Sequence, residues 1–411
     1  MSRDFFYIAW TLFTALFLLR LAWLQERFRR EWHDLRDVKI DTAVGWPSVS
    51  LVVPACNEAA TIGPALQSLA QIDYPDLEII VVNDRSTDGT QAVIEALQKT
   101  YPQIKTVHVT ELSEGWLGKV HALHEGTLRA QGEWLLFTDA DVHFGPETLK
   151  KALTLVQKRQ LDFLSVTPAV HAPGLWLRAF ILQFTKLLTW TLSLDRLHNA
   201  EEKQAVGIGA FNLVRRERLK ASRGFEWLRL EVVDDGGLAY MMKEEGARLS
   251  VVGGLGEVEL EWYPTVWAFV RGLEKNAFSI FQFSYLAVVA NTLFSWFVFL
   301  GIVMAPFQTE QPWARGVMVV ALVFYFVTAA RALKRLMPFA VFPALLLTPL
   351  IQAVFPMILW RAAGLFWWRG GIYWRDTFYP RDRLIANQRL KLLEQLRSSR
   401  FPKRDIAVKP L

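Results

Sequence analysis

Apolar and polar positions divide the 411-residue chain into unlike regions. "FFYIAWTLFTALFLLRLAWL", Phe5–Leu24, is apolar over a length that crosses a bilayer; its single charge, Arg20, lies near one end, where a long side chain reaches the interface. Three further apolar runs come late, at roughly 278–305, 313–332 and 338–366. The polar region between has a different rhythm. Val49–Val53 is a β-rich run halted at Pro54, a helical stretch carries Leu66 and Leu69, and 77–82 reads as a second strand. A helix over 90–100, a short strand near 105–109, a helix over 119–130 and a strand over 133–138 follow. Strands alternating with helices predict an α/β domain with a parallel, doubly wound sheet, whose ligands bind at the carboxyl ends of the strands.

Polar clusters fall at those ends: Asn57 and Glu58, then Asn83 and Asp84, then Asp139 and Asp141. In "LLFTDADVHF" an apolar strand stops at two acids one residue apart. Two carboxylates at one strand tip repel unless a cation lies between them, and a hard divalent ion such as Mg²⁺ or Mn²⁺ takes oxygen ligands while keeping water and phosphate. An isolated Asp-x-Asp is more often a solvated turn; the other strand-end clusters favour the metal here.

Composition adds lipid contact. The chain is 52% hydrophobic with 17 Trp and 28 Phe. Its net charge of +6 is modest, and no dense basic block points to nucleic acid; basic residues flank the apolar runs, where anionic lipid is the simpler partner. Cys56 is the single cysteine, which excludes an internal disulfide and fits a reducing compartment. Arg27, Arg29 and Arg30 follow the first apolar run, so the positive-inside rule puts the downstream region in the cytosol, and without a small-residue cleavage site the run reads as an anchor. "RALKRLM" at 331–337 and the tail from Arg369 are both basic, so both ends of 338–366 want the cytosolic side. With Pro343, Pro349 and Pro356 inside it, that run reads as a re-entrant hairpin or two short spans; a plain span that violates the charge rule is the alternative. Over 175–198, Arg178, Thr185, Lys186, Thr189 and Ser193 form a polar stripe on an otherwise apolar helix, which suits the membrane interface or, alternatively, a buried core. The expected organisation is an anchor over 1–30, a catalytic domain over 45–260, an interfacial helix over 261–280, a membrane region over 281–366 and a basic cytosolic tail over 367–411, in a multi-pass protein of the cytoplasmic membrane.

"VSLVVPACNEAATI", "IIVVNDRSTDGT", "GWLGKVHAL", "FTDADV" and "VVDDGGLAYMMKEEG", in this order over roughly 48–250, resemble the successive motifs of family 2 glycosyltransferases of the GT-A fold. The flanking apolar runs resemble those of membrane-bound members that glycosylate hopanoids, carotenoids, ceramide or diacylglycerol. The resemblance implies roles position by position. Pro54, Ala55, Asn57 and Glu58 match the motif lining the nucleotide pocket, and Asp84 the acid at the uracil end of a UDP-sugar. Gly118 and Lys119 match a short element near the donor, where Lys119 either offsets diphosphate charge or is solvated. Asp139 and Asp141 match the motif that binds metal and donor diphosphate. Asp234-Asp235 matches the family's Glu-Asp pair, with Asp235 as the base and Asp234 either its partner or structural. Direct displacement, implied by the family, inverts the anomeric carbon.

The Gln-x-x-Arg-Trp motif of processive members is missing, which favours transfer of one sugar over polymer synthesis. At its expected place Arg271 and Lys275 stand four apart on one helix face, where they reach either the diphosphate or lipid phosphates. Two rivals come from other classes. A haloacid-dehalogenase-type phosphatase also carries Asp-x-Asp after a strand, but it opens its domain with that motif and follows it with a Thr that is absent here. A catalytically silent membrane scaffold or transporter is opposed by the intact acid set.

Overall fold

The computed structural model describes residues 3–191, 204–308, 310–375 and 377–392. A long apolar helix, α1 (Arg3–Glu31), leads into the α/β domain. There the predicted alternation appears: β1 (Val49–Ala55), α2 (Ile62–Ala70), β2 (Leu77–Asp84), α3 (Thr90–Thr100), β3 (Ile104–Val109), α4 (Gly118–Arg129) and β4 (Trp134–Phe137). Pro54 lies inside β1 and does not end it. β4 pairs with β1 only over Val49–Val52, so beyond that point the ladder asks no N–H of the proline on that side.

The second half adds β5 (Val142–Phe144), α5 (Thr148–Lys158), β6 (Phe163–Thr167), β7 (Ala169–His171), α6 (Leu175–Thr191) and β8 (Asn212–Arg215). After these come α7 (Arg216–Ala221), α8 (Gly224–Leu228), α9 (Asp234–Glu244), β9 (Leu249–Gly253) and β10 (Val258–Glu261). The main sheet has the order β3-β2-β1-β4-β8-β6-β9. It is mixed, where the alternation predicted a parallel sheet, because β8 runs antiparallel to β4 and β6. Asn212, the first residue of β8, pairs with Phe137, the last of β4. The loop that feeds β8 therefore lies at the carboxyl ends of the parallel strands. Leu51, Val53, Ile79, Val81 and Leu136 fill one side of the sheet, and Val52, Ile80, Val82, Leu135 and Phe137 the other.

Beyond the domain come α10 (Val266–Ile280), α11 (Tyr285–Gln308), α12 (Pro312–Leu333), α13 (Val341–Arg369), a hairpin of β11 (Gly371–Trp374) and β12 (Thr377–Pro380), and α14 (Arg381–Ala386). Among the described residues α1, α11, α12 and α13 are long and apolar enough to cross a membrane. Thr11 of α1 bonds the carbonyl of Ala305, and Phe17 packs edge-on to Phe294, so α1 and α11 run antiparallel. Leu16, Leu293, Phe307 and Val320 stay exposed on the outside of this bundle.

The hairpin or pair of short spans expected for 338–366 is instead one continuous helix. Pro349 has no N–H to give the carbonyl of Leu345, but the Thr348 hydroxyl donates to that carbonyl at 2.8 Å and restores the bond within the helix. Both ends of α13 nevertheless meet the α/β side of the molecule. At its start the Arg178 guanidinium lies over the Phe339 ring, and toward its end Arg361 pairs with Glu274 of α10. Helix 175–198 is described as far as Thr191, and Ser193 lies outside the described residues. Of its stripe, Lys186 turns toward protein and bonds Thr348; Gln183, outside the stripe, bonds Gln352. The expected tail over 367–411 likewise begins as structure, since the β11–β12 hairpin folds back on the domain; 393–411 lie outside the described residues.

Candidate active site

The carboxyl ends of β1, β2 and β4 open onto one cavity of about 260 Å³. Pro54, Ala55, Cys56 and Glu58 reach it from β1 and its loop, Asp84 and Arg85 from β2, Lys119 from the first turn of α4, and Asp139 and Asp141 from the tip of β4. Lys275 of α10 and Arg375 of the C-terminal hairpin close the other side.

These charges are paired unevenly. Asp84 is buried, and Arg85 grips both of its oxygens, at 2.8 and 3.0 Å. Lys119 Nζ lies 2.8 Å from Asp139 Oδ1 and 3.2 Å from Asp234 Oδ2. Burial alone would lower its pKa, but Asp139, Asp234 and Asp235 outweigh burial and raise it, so the ammonium stays charged. The Asp139 carboxyl is likewise opposed by burial and yet held below its ordinary range by Lys119, with Lys275 and Arg375 adding to the pull. Asp141 is the exception. Burial, then Asp139 and Glu58, push it up to about 7. Burial pushes Lys275 down to about 8, with the Lys119 charge adding to it.

A strand-end carboxylate under that strain is stabilised by a cation. Among the described residues no group of three or more His, Cys, Asp or Glu side chains is arranged to hold a metal ion. A divalent ion beside Asp141 and Asp139 would thus take few protein ligands and complete its shell with water and phosphate oxygens, as Mg²⁺ commonly does. The residues present fit Mg²⁺ or Mn²⁺.

Next to the main cavity a small recess is lined by Lys119, Asp139, Gly209, Asp234 and Asp235. The acid pair opens α9, where the exposed amides and the helix dipole favour negative charge. Asp235 Oδ2 accepts the Gly209 N–H at 2.8 Å, and Oδ1 accepts the Gly236 N–H at 2.7 Å. Burial and the adjacent Asp234 raise the Asp235 pKa against the pull of Lys119. Glu231, three residues before Asp234, has a structural task. Its carboxylate accepts N–H bonds from Val233, Arg389 and Leu390, at 3.1, 2.6 and 2.9 Å, and so ties down the C-terminal segment.

Two expected residues are not brought to the cavity. Asn57, at φ +55°, donates its N–H to Ser86 and accepts from the Thr87 N–H at 2.8 Å, so it locks two loops together and does not line the pocket. Arg271 is exposed and outside the cavity, one turn of α10 before Lys275; only the lysine points in.

Residues 50–222 match the sequence profile of Glycosyl transferase family 2. This stretch is a family 2 glycosyltransferase domain. The match displaces the phosphatase alternative. Among curated proteins, the beta-monoglucosyldiacylglycerol synthase of Synechocystis is 30% identical over 202 residues, 47% of this chain and 40% of that protein. The 4,4'-diaponeurosporenoate glycosyltransferase of Staphylococcus aureus is 37% identical over 127 residues, 29% of this chain and 32% of that protein. The chain thus spans less than half the length of these relatives. The mannosyltransferase PcManGT of Pyrobaculum calidifontis, solved with GDP-Man and Mn²⁺, superposes with a TM-score of 0.53 at 20% identity, over 88% of this chain and 99% of that one. The shared fold is GT-A.

Two parts of the candidate site were not foreseen from the sequence. One is the loop "GIGAFN" before β8. A Cβ on Gly207 would sit 1.9 Å from the Asp235 carbonyl oxygen, which only glycine avoids, and one on Gly209 would sit 2.7 Å from Asp139 Oδ2 and displace that carboxylate or the loop, so the loop passes closely between the two acidic motifs. The paired glycines were visible in sequence, but nothing local said what they approach. The other part is the hairpin with Trp374, Arg375 and Tyr379, far along the chain from every other motif.

Proposed function

We propose that the protein transfers one sugar from a nucleotide-sugar donor, a UDP-sugar, to a hydroxyl of a membrane lipid or polyprenyl acceptor, with inversion, on the cytosolic face of the cytoplasmic membrane. One observation carries this reading: the Asp139–Asp141 strand tip and the Asp234–Asp235 helix start are joined by a single ammonium, Lys119, at 2.8 and 3.2 Å. A diphosphate subsite and a base are thereby held side by side.

Asp139 and Asp141 would hold Mg²⁺ or Mn²⁺, which, when bound, acts as a Lewis acid for the departing diphosphate. Asp84, Glu58 and the backbone at Pro54 and Ala55 form the nucleotide side. Asp235 accepts the proton of the acceptor hydroxyl as that oxygen bonds to the anomeric carbon and the bond to the diphosphate breaks. Its raised pKa suits it to hold a proton near neutral pH better than an ordinary aspartate. Lys119 remains cationic and balances the acids around it. The acceptor's lipid character is supported by the relatives' printed substrates and by the apolar surroundings: Trp176 and Trp267 are exposed on α6 and α10, close to the helices long enough to span a bilayer.

The test is direct. Purified protein is incubated with a panel of radiolabelled nucleotide sugars and a total lipid extract, and products are separated by solvent partition and chromatography. One labelled glycolipid bearing a single added sugar is expected. Label only in a water-soluble product or a long polymer would overturn the reading.

A further inference from the structure

The β11–β12 hairpin forms a wall of the donor cavity although it follows the last apolar helix. Tyr379 anchors it by accepting the Gly118 N–H at 3.2 Å. Trp374 anchors it on the other side, with the Lys275 ammonium 3.9 Å from its ring centroid. Trp374 pairs with Thr377 across the hairpin. Arg375 follows Trp374 at φ +46°, in a left-handed conformation that glycine or asparagine adopts more readily. From there its guanidinium pairs with Glu58.

We propose that Arg375 binds the donor diphosphate, and that Glu58 occupies its guanidinium until the donor enters. This rests on the nucleotide-sugar reading above. Four basic side chains among the described residues line the cavity, and three are engaged elsewhere. Arg85 is bidentate to buried Asp84, Lys119 is held between Asp139 and Asp234, and Lys275 lies against Trp374. The Arg375 side chain keeps 44% of its surface exposed, and its described bond to Glu58 uses one of five N–H donors. A planar guanidinium matches phosphate oxygens in pairs, which a carboxylate partner already mimics. With Arg85 and Lys119 already paired to acids, an entering diphosphate needs a cation that can leave its own counter-charge, and Arg375 is placed to do so.

Calorimetry on the full-length protein with Mn²⁺ tests this, with UDP, GDP, UMP and GMP as probes. Wild type is expected to bind one diphosphate more tightly than its monophosphate. Arg375→Gln should weaken the diphosphate by about 10- to 100-fold and leave the monophosphate unchanged. Glu58→Gln, which keeps Arg375 and removes its competitor, should tighten the diphosphate selectively. Equal losses for mono- and diphosphate in Arg375→Gln, or no loss, would overturn the proposal while the nucleotide-sugar reading stands. A lower ratio of diphosphate to monophosphate affinity in Glu58→Gln would overturn it as well. If wild type binds none of the four nucleotides, the nucleotide-sugar reading fails and takes this proposal with it.

Discussion

The Nζ of Lys119 lies 2.8 Å from Oδ1 of Asp139, so the first acid of the Asp-x-Asp pair is already neutralised by protein. Asp141 carries the uncompensated charge, and a metal should depend on it most. Chelation is expected to abolish transfer, and Mn²⁺ or Mg²⁺ to restore it. Asp141→Asn should weaken metal-dependent nucleotide-diphosphate binding by about tenfold or more. Full activity in excess chelator would remove the metal from the mechanism.

Asp235→Asn keeps the size of the side chain but cannot take a proton. Turnover should fall by about 10²–10⁴-fold while nucleotide affinity survives, because other residues hold the diphosphate. Asp234→Asn should cost less, since Lys119 keeps its contact with Asp139. If Asp234→Asn is inactive and Asp235→Asn is not, the base is the residue one place earlier.

The raised Asp235 pKa sets a direction for pH dependence. In the proposed mechanism the base works as carboxylate, so activity is expected above its folded-state pKa and is lost as pH falls through it. Burial and Asp234 move that point upward. The acid limb of kcat/KM should therefore lie above the ordinary aspartate value of about 3.9. The residual activity of Asp235→Asn should lack this limb. A limb at or below pH ~4 would exclude the shift.

Gly209→Ala places a methyl 2.7 Å from Asp139 Oδ2. Either the loop or the carboxylate must move. Thermal unfolding should report a loss of about 1–3 kcal/mol, and transfer should fall because the same loop donates to Asp235. Wild-type activity in this variant would show that the loop has slack.

Helix α13 yields a topological prediction from a cysteine-free Cys56→Ser background. Cysteines at Lys99, Lys334 and Asp382, all exposed, should label from one side of the membrane, and one at Glu310, between α11 and α12, from the other. Labelling of Asp382→Cys together with Glu310→Cys would mean that α13 crosses fully.

Local pattern by itself determined the α/β alternation, the apolar helices and the acids at the strand ends. Strand and helix periodicity are properties of neighbouring residues, and a carboxylate that follows an apolar strand must emerge at its tip. Thus the strand-end positions of Asp84, Asp139 and Asp141 are legible in the sequence. What only the tertiary structure decided involves residues far apart in the chain. Glu58 meets Arg375, Lys119 joins Asp139 to Asp234, and Gly209 slips between Asp139 and Asp235. The antiparallel entry of β8, the inward turn of Lys275 but not Arg271, and the repair of α13 at Pro349 by Thr348 depend on packing and hydrogen-bond completion. Such demands arise only when distant segments compete for the same space, and no local periodicity records them.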